Sequence, residues 1–132
     1  MTREQSVKAD EAWAWNVLAH HLPSDPTVWD PSGISAAIAR HATDVVLVAD
    51  EEPRDICWRA AALLHTLAVC PPLDSPMNEF YAATLTRSYL AMAGIKQLPN
   101  SFALADLVEH AKERRADVFA TAEALRQLTD LD

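Results

Sequence analysis

Sixteen residues, Phe80 to Ile95 (FYAATLTRSYLAMAGI), carry a single charge, Arg87. Apolar or small side chains fall on every side of a helical wheel drawn over them, the pattern of a helix buried all round. The run is too short and too polar to span a bilayer. A chain with such a helix is expected to wrap its other elements around it.

Glycine limits what those elements can be. With 2 glycines in 132 residues, tight hairpins and glycine-rich phosphate loops are both disfavoured. Abundant Ala and Leu favour helices instead. Half the residues are hydrophobic and 23% are charged, a globular balance for one domain with a proper core. The expected fold is all-α: a polar, frayed segment over residues 1–8, then a single domain of about six helices over 9–132.

Punctuation divides that domain. The first helix is expected from Ala9 to Leu22, with Trp15, Leu18, Ala19 and Leu22 inward and Trp13 and Val17 widening the face; Pro23 stops it. A proline-rich loop containing Trp29 follows, and Trp29 is the tryptophan expected at the surface. Asp30 as N-cap and Pro31 at the first position open a second helix that ends near His41. TDVVLVAD, Thr43–Asp50, reads as a short extended segment over the helices. Pro53 opens a third helix to Cys70, with Ile56, Ala60, Leu63, Leu64 and Leu67 as its stripe; Pro71 and Pro72 end it. The helix of Phe80–Ile95 closes at Gly94. Asn100 or Ser101 caps a fifth helix, Phe102–Arg115, with Leu104, Leu107, Val108 and Ala111 inward. Asp117 caps a sixth, Val118–Leu128, with Val118, Ala122, Leu125 and Leu128 inward.

The net charge of −8 argues against nucleic acid and against an anionic membrane surface as partners. MTREQSVKADEAW lacks the apolar run of a signal peptide, so a cytoplasmic protein is expected. Cys57 and Cys70 are thirteen residues apart on one helix, about 20 Å, so they read as thiols.

Two stretches resemble the Fic/Doc family: RAAALLHTLA (Arg59–Ala68) and YAATLTRSYLAMAG (Tyr81–Gly94). The family's core helix reads as a Lys- or Arg-led AAALLHSLA. A loop of pattern H-x-F-x-D/E-G-N-x-x-R then leads into a buried helix ending in Gly. FALADLVEHAKERRADVFATAEALRQL, residues 102–128, is similar to the two short helices that close a small Doc-type toxin. The resemblance covers about residues 31–130 and looks closest to diverged toxin components of actinobacterial toxin–antitoxin modules. It implies a small antitoxin as partner and a protein target. It also implies a flap at Thr43–Asp50 whose Val45, Val46, Leu47 and Val48 edge docks a partner segment.

The family's loop holds ATP phosphates and Mg2+, and its His takes a proton from a target hydroxyl. Here Asn78 falls on the motif Asn, while the His falls on Pro72 or Pro71, the acid on Pro76, the Gly on Met77 and the Arg on Tyr81. Proline has neither a titratable group nor an N–H, and losing a general base costs roughly 10²–10⁴ in rate. Ordinary AMP or phosphate transfer is therefore expected to be lost or altered. No cofactor is expected, with ATP and Mg2+ entering if family chemistry survives. Glu79 sits in the first turn, where an anion would otherwise bind.

Each remaining candidate has two readings. Asn78 can bind phosphate or cap the helix. Asp74 can hold Mg2+ or form a solvated turn. His65 can replace the missing base or hydrogen-bond within the interior. Arg87, the sole charge in a buried helix, can pair with a carboxylate or helix carbonyls or serve a ligand pocket. His41 and His110 read as surface or last-turn residues, and His20 and His21 point apart. Two functions follow: a toxin component with a degenerate motif, or a non-toxic helical adaptor acting by protein binding.

Overall fold

The computed structural model describes residues 7–22, 26–44 and 54–130; the expected Val45–Val48 edge lies outside them. Six α-helices and no strand occur among the described residues. They are α1 (Glu11–His21), α2 (Ser32–His41), α3 (Ile56–Val69), α4 (Met77–Met92), α5 (Ser101–Lys112) and α6 (Val118–Thr129). The fold is all-α, as glycine poverty and Ala/Leu content imply. None of the described helices is long and apolar enough to cross a membrane.

Local chemistry starts and stops these helices. Asp10, Asp55, Asn100 and Asp117 each accept a backbone N–H three residues on, so α1, α3, α5 and α6 begin on side-chain caps. Each such cap contributes about 1 kcal/mol. Pro31 is already helical (φ −62°, ψ −17°), and the Asp30 carboxylate accepts the Ser32 N–H at 3.1 Å. Gly94 ends α4 with φ +95°, which lets Ile95 N–H reach the Leu90 carbonyl at 3.0 Å.

The centre of the molecule is α3, not α4. Eleven of its fourteen residues, Cys57–Leu64 and Thr66–Ala68, are buried. It packs against α2, α4, α5 and α6, while α1 lies on α4 and α2. Three consecutive alanines, Ala60–Ala62, let neighbours approach it on several sides. By contrast α4 buries one face, including Tyr81, Leu85, Tyr89 and Leu90, and exposes Phe80, Arg87, Ala91 and Met92. Arg87 therefore needs no buried counter-ion; its Nε donates to the Pro99 carbonyl at 3.1 Å. The α1 face is also turned from the expected one: Ala14, Val17 and Leu18 are buried, whereas Ala19 is exposed and Trp15 is 37% exposed. In α5 and α6 the buried stripes are those expected, with Leu128 partly covered.

His41, expected as a surface or last-turn residue, does lie in the last turn of α2 but is fully buried. Its Nε2 accepts the Ala9 N–H at 2.8 Å, and Nδ1–H donates to the Arg59 carbonyl at 3.0 Å. The ring stands edge-on to Tyr89, centroids 4.8 Å apart. The buried Arg59 guanidinium donates to the His41 carbonyl at 2.7 Å and to Asp44 at 2.6 Å; Asp44 also pairs with Lys8. Tyr89 O–H donates to the Val7 carbonyl, so the last residues of the segment expected to fray are held.

Two outcomes follow from this packing. A Cβ at Gly33 would stand 2.3 Å from the Cys70 carbonyl, so Gly33→Ala must push α2 off the end of α3. Urea unfolding of that variant is expected to show a loss of about 1–3 kcal/mol. Burial drives the His41 pKa from 6.5 down to about 4. Between those values the unfolded chain binds a proton that the native chain refuses. The contribution is complete above pH 6.5 and about 3 kcal/mol is lost as pH falls to 4. His65, also held below its ordinary value by burial and by Arg40, adds to the same slope. The measurement is therefore the difference in slope between the native chain and His41→Gln, which is expected to be flatter over this window.

Candidate functional site

The connection between α3 and α4 is stitched to the chain's own groups. Trp29 and Asp30 N–H both donate to the Pro72 carbonyl, at 2.8 and 3.3 Å. Trp29 itself is 67% exposed, as expected, and its Nε1–H donates to Asp74 Oδ2 at 2.8 Å. Asp74 is thus a turn residue that anchors an indole. Among the described residues no three His, Cys, Asp or Glu side chains converge around a common point.

Asn78 is neither the cap of α4 nor open to a ligand. Pro76 holds the cap position, and Asn78 is buried at 2% exposure inside the first turn. Its Nδ2 donates to the Leu67 carbonyl at 2.9 Å, and its Oδ1 accepts the Leu73 N–H at 3.3 Å. The amide ties the last turn of α3 to the loop. The sequence position matches a motif Asn, but the side chain serves as a bridge between backbone segments.

The helix N-terminus that would receive a phosphate is already occupied. Asn78 N–H bonds the Asp74 carbonyl at 2.9 Å. Glu79 accepts from the Ser75 hydroxyl and from Lys112 Nζ at 3.1 Å. Burial works to raise the Glu79 pKa, but Ser75, Lys112 and its own backbone N–H together hold it below the ordinary value. The carboxylate therefore remains charged in the place of an incoming anion. The cleft between Pro26, Trp29 and Leu73 is about 190 Å³, smaller than the ~300–1,000 Å³ of ordinary small-molecule sites. The residues present do not fit ATP with Mg2+ in the family's manner.

His65 is equally committed. Nε2–H donates to the Ala116 carbonyl at 3.2 Å, and Nδ1 accepts from Arg40 Nη1 at 3.2 Å. Both ring nitrogens join α3 to α2 and to the α5–α6 connection. His65 is thus half-buried and hydrogen-bonded at both ring nitrogens, with neither left over as a base for the loop.

A different surface is open. The exposed face of α4 and the first turn of α5 enclose a groove of about 580 Å³. Its floor on α4 is Phe80, Ala83, Thr84, Arg87, Ser88 and Ala91, one helical stripe at i, i+3, i+4, i+7, i+8 and i+11. Phe102, 85% exposed, stands on the α5 rim, and Phe80 is 47% exposed. The sequence held a signal for this stripe in its regular run of small residues, but that pattern reads equally as the inside of a helix bundle.

The bridging role of Asn78 has a measurable consequence. Asn78→Leu leaves the Leu67 carbonyl and Leu73 N–H buried without partners, and is expected to lower unfolding free energy by about 1–3 kcal/mol in denaturant titration. A merely solvated Asn would give no such loss. No family model matches this chain, and no curated protein matches it, so the loop and the groove are defined by their own geometry.

Proposed function

We propose that this chain acts by binding a protein partner and does not transfer AMP or phosphate. The observation that carries the reading is the occupied loop: Asn78, Asp74 and Glu79 all face the chain's own groups, while apolar surface stands open elsewhere. Phosphoryl and nucleotidyl transfer depend on preorganised positive groups and a positioned base, and none is gathered here among the described residues.

The resemblance of Arg59–Ala68 and Tyr81–Gly94 to Fic/Doc proteins supports one form of this function, the toxin component of a bacterial toxin–antitoxin module with its motif degraded. Its partner is then a small antitoxin in the cytoplasm. The missing motif His and Arg favour the second form, a non-toxic helical adaptor. Growth arrest on expression, relieved by a neighbouring gene product, supports the toxin; no arrest, with a stable complex, supports the adaptor.

Calorimetry tests the shared core of both forms. Titrating ATP with Mg2+ into the chain is expected to give no saturable heat up to millimolar nucleotide, about the weak limit of specific binding. Labelling of a protein from ATP that vanishes when Pro71–Asn78 residues are changed would overturn the proposal.

A further inference from the structure

A helix apolar on all sides is ordinarily covered on all sides. Here α4 buries one face and leaves the stripe from Phe80 to Ala91 open, beside an exposed Phe102. Apart from Arg87, that stripe carries no charge. A surface helix that met only water would be expected to show charged residues there. The composition of α4 therefore fits a helix whose second face is covered in a complex.

The shape of the groove selects a helix as the covering element. The stripe spans twelve residues, eleven rises or about 16 Å, some three turns. Ala83, Thr84, Ser88 and Ala91 are small enough to let another helix approach to about 8–10 Å between axes. Among the described residues there is no strand edge for an extended peptide to join.

Charge selects the chemistry of that helix. Glu79, at one end, is offset by Lys112. Arg87, near the middle, is exposed, and its one bond among the described residues is from Nε to Pro99, leaving both terminal nitrogens as donors. With Glu79 paired to Lys112, Arg87 is the charge in the groove's lining that has no carboxylate partner among the described residues, on a chain of net charge −8. A second copy docked about a two-fold axis through the stripe would set Arg87 near its symmetry mate, a like-charge pairing. A foreign helix with a carboxylate at that level meets no such repulsion.

We infer that the α4–α5 groove receives an amphipathic helix of another protein, its apolar residues against Phe80 and Phe102 and an Asp or Glu paired with Arg87. This rests on the binding reading above and names the partner's chemistry. It is a helix-in-groove contact, with aromatic anchors and one charge pair setting orientation.

The probe is a stapled, fluorescein-labelled amphipathic helix of about four turns, with leucines at i, i+4 and i+7 and a glutamate between them. A second probe replaces that glutamate with lysine. Anisotropy with the full chain is expected to saturate with the glutamate helix and to be at least about tenfold weaker with the lysine helix. Arg87→Glu is expected to invert that preference. Phe102→Ser, at a position 85% exposed, is expected to weaken the glutamate helix about tenfold or more with the circular dichroism unchanged.

Equal binding of both probes, indifference to Phe102→Ser, or no saturation at millimolar probe would overturn the inference. So would concentration-dependent dimerisation lost in Phe102→Ser, which assigns the face to a second copy. Probe failure with silent ATP calorimetry removes the groove and leaves the binding function; ATP-dependent labelling removes the binding function itself.

Discussion

A buried, uncharged imidazole ties the end of α2 to the entry of α1, to α3 and to α4. His41 joins the entry to α1 through Ala9, the body of α3 through the Arg59 carbonyl, and α4 through the face of Tyr89. Arg59 returns a bond to the His41 carbonyl and reaches out to Asp44. Most of the remaining core is Ala and Leu, whose packing is strong but has little direction. Hydrogen bonds have direction, and a buried donor without its acceptor costs about 1–3 kcal/mol. Sliding α2 along α3 would break several of these bonds at once, so the knot selects one arrangement among many that would bury similar apolar area.

The same economy of polar groups governs the loop before α4. Asn78 bonds Leu67 and Leu73, Asp74 bonds Trp29, and Glu79 meets Ser75 and Lys112. These contacts make the turn from α3 into α4 self-sufficient. In a phosphate-handling loop the corresponding donors would be left for the ligand. Structure and ligand compete for the same hydrogen-bonding groups, and here structure has taken them. The open groove on α4 offers the opposite balance, with apolar surface and a guanidinium that, among the described residues, the fold engages through Nε alone.

Where residues act through their immediate neighbours, the sequence was legible. Asn100 and Asp117 cap the helices they precede, and Gly94 ends α4 in the left-handed conformation it was expected to supply, whereas the Asp55 cap of α3 was not foreseen. The stripes of α5 and α6 were readable because their outward faces are charged. The face of α1 was not, since five of its eleven residues are Trp or Ala, which suit either side. His65 was placed correctly inside the α3 pattern. What Asn78 does was illegible, because its partners, Leu67 at the end of α3 and Leu73 in the loop, are set by how α4 docks on α3.

The sequence by itself determined the all-α class and the number of helices, while their ends lie up to three residues from the expected ones, as in α4 (Met77–Met92) and α5 (Ser101–Lys112). Tertiary structure alone decided that α3 and not α4 lies at the centre, that His41 is buried, and that Arg87 faces outward. The physical reason is that lack of charge permits burial without requiring it. Whether a small, uncharged face is covered depends on which other elements reach it. In α3 the chain itself covers every side, and in α4 it leaves one side open.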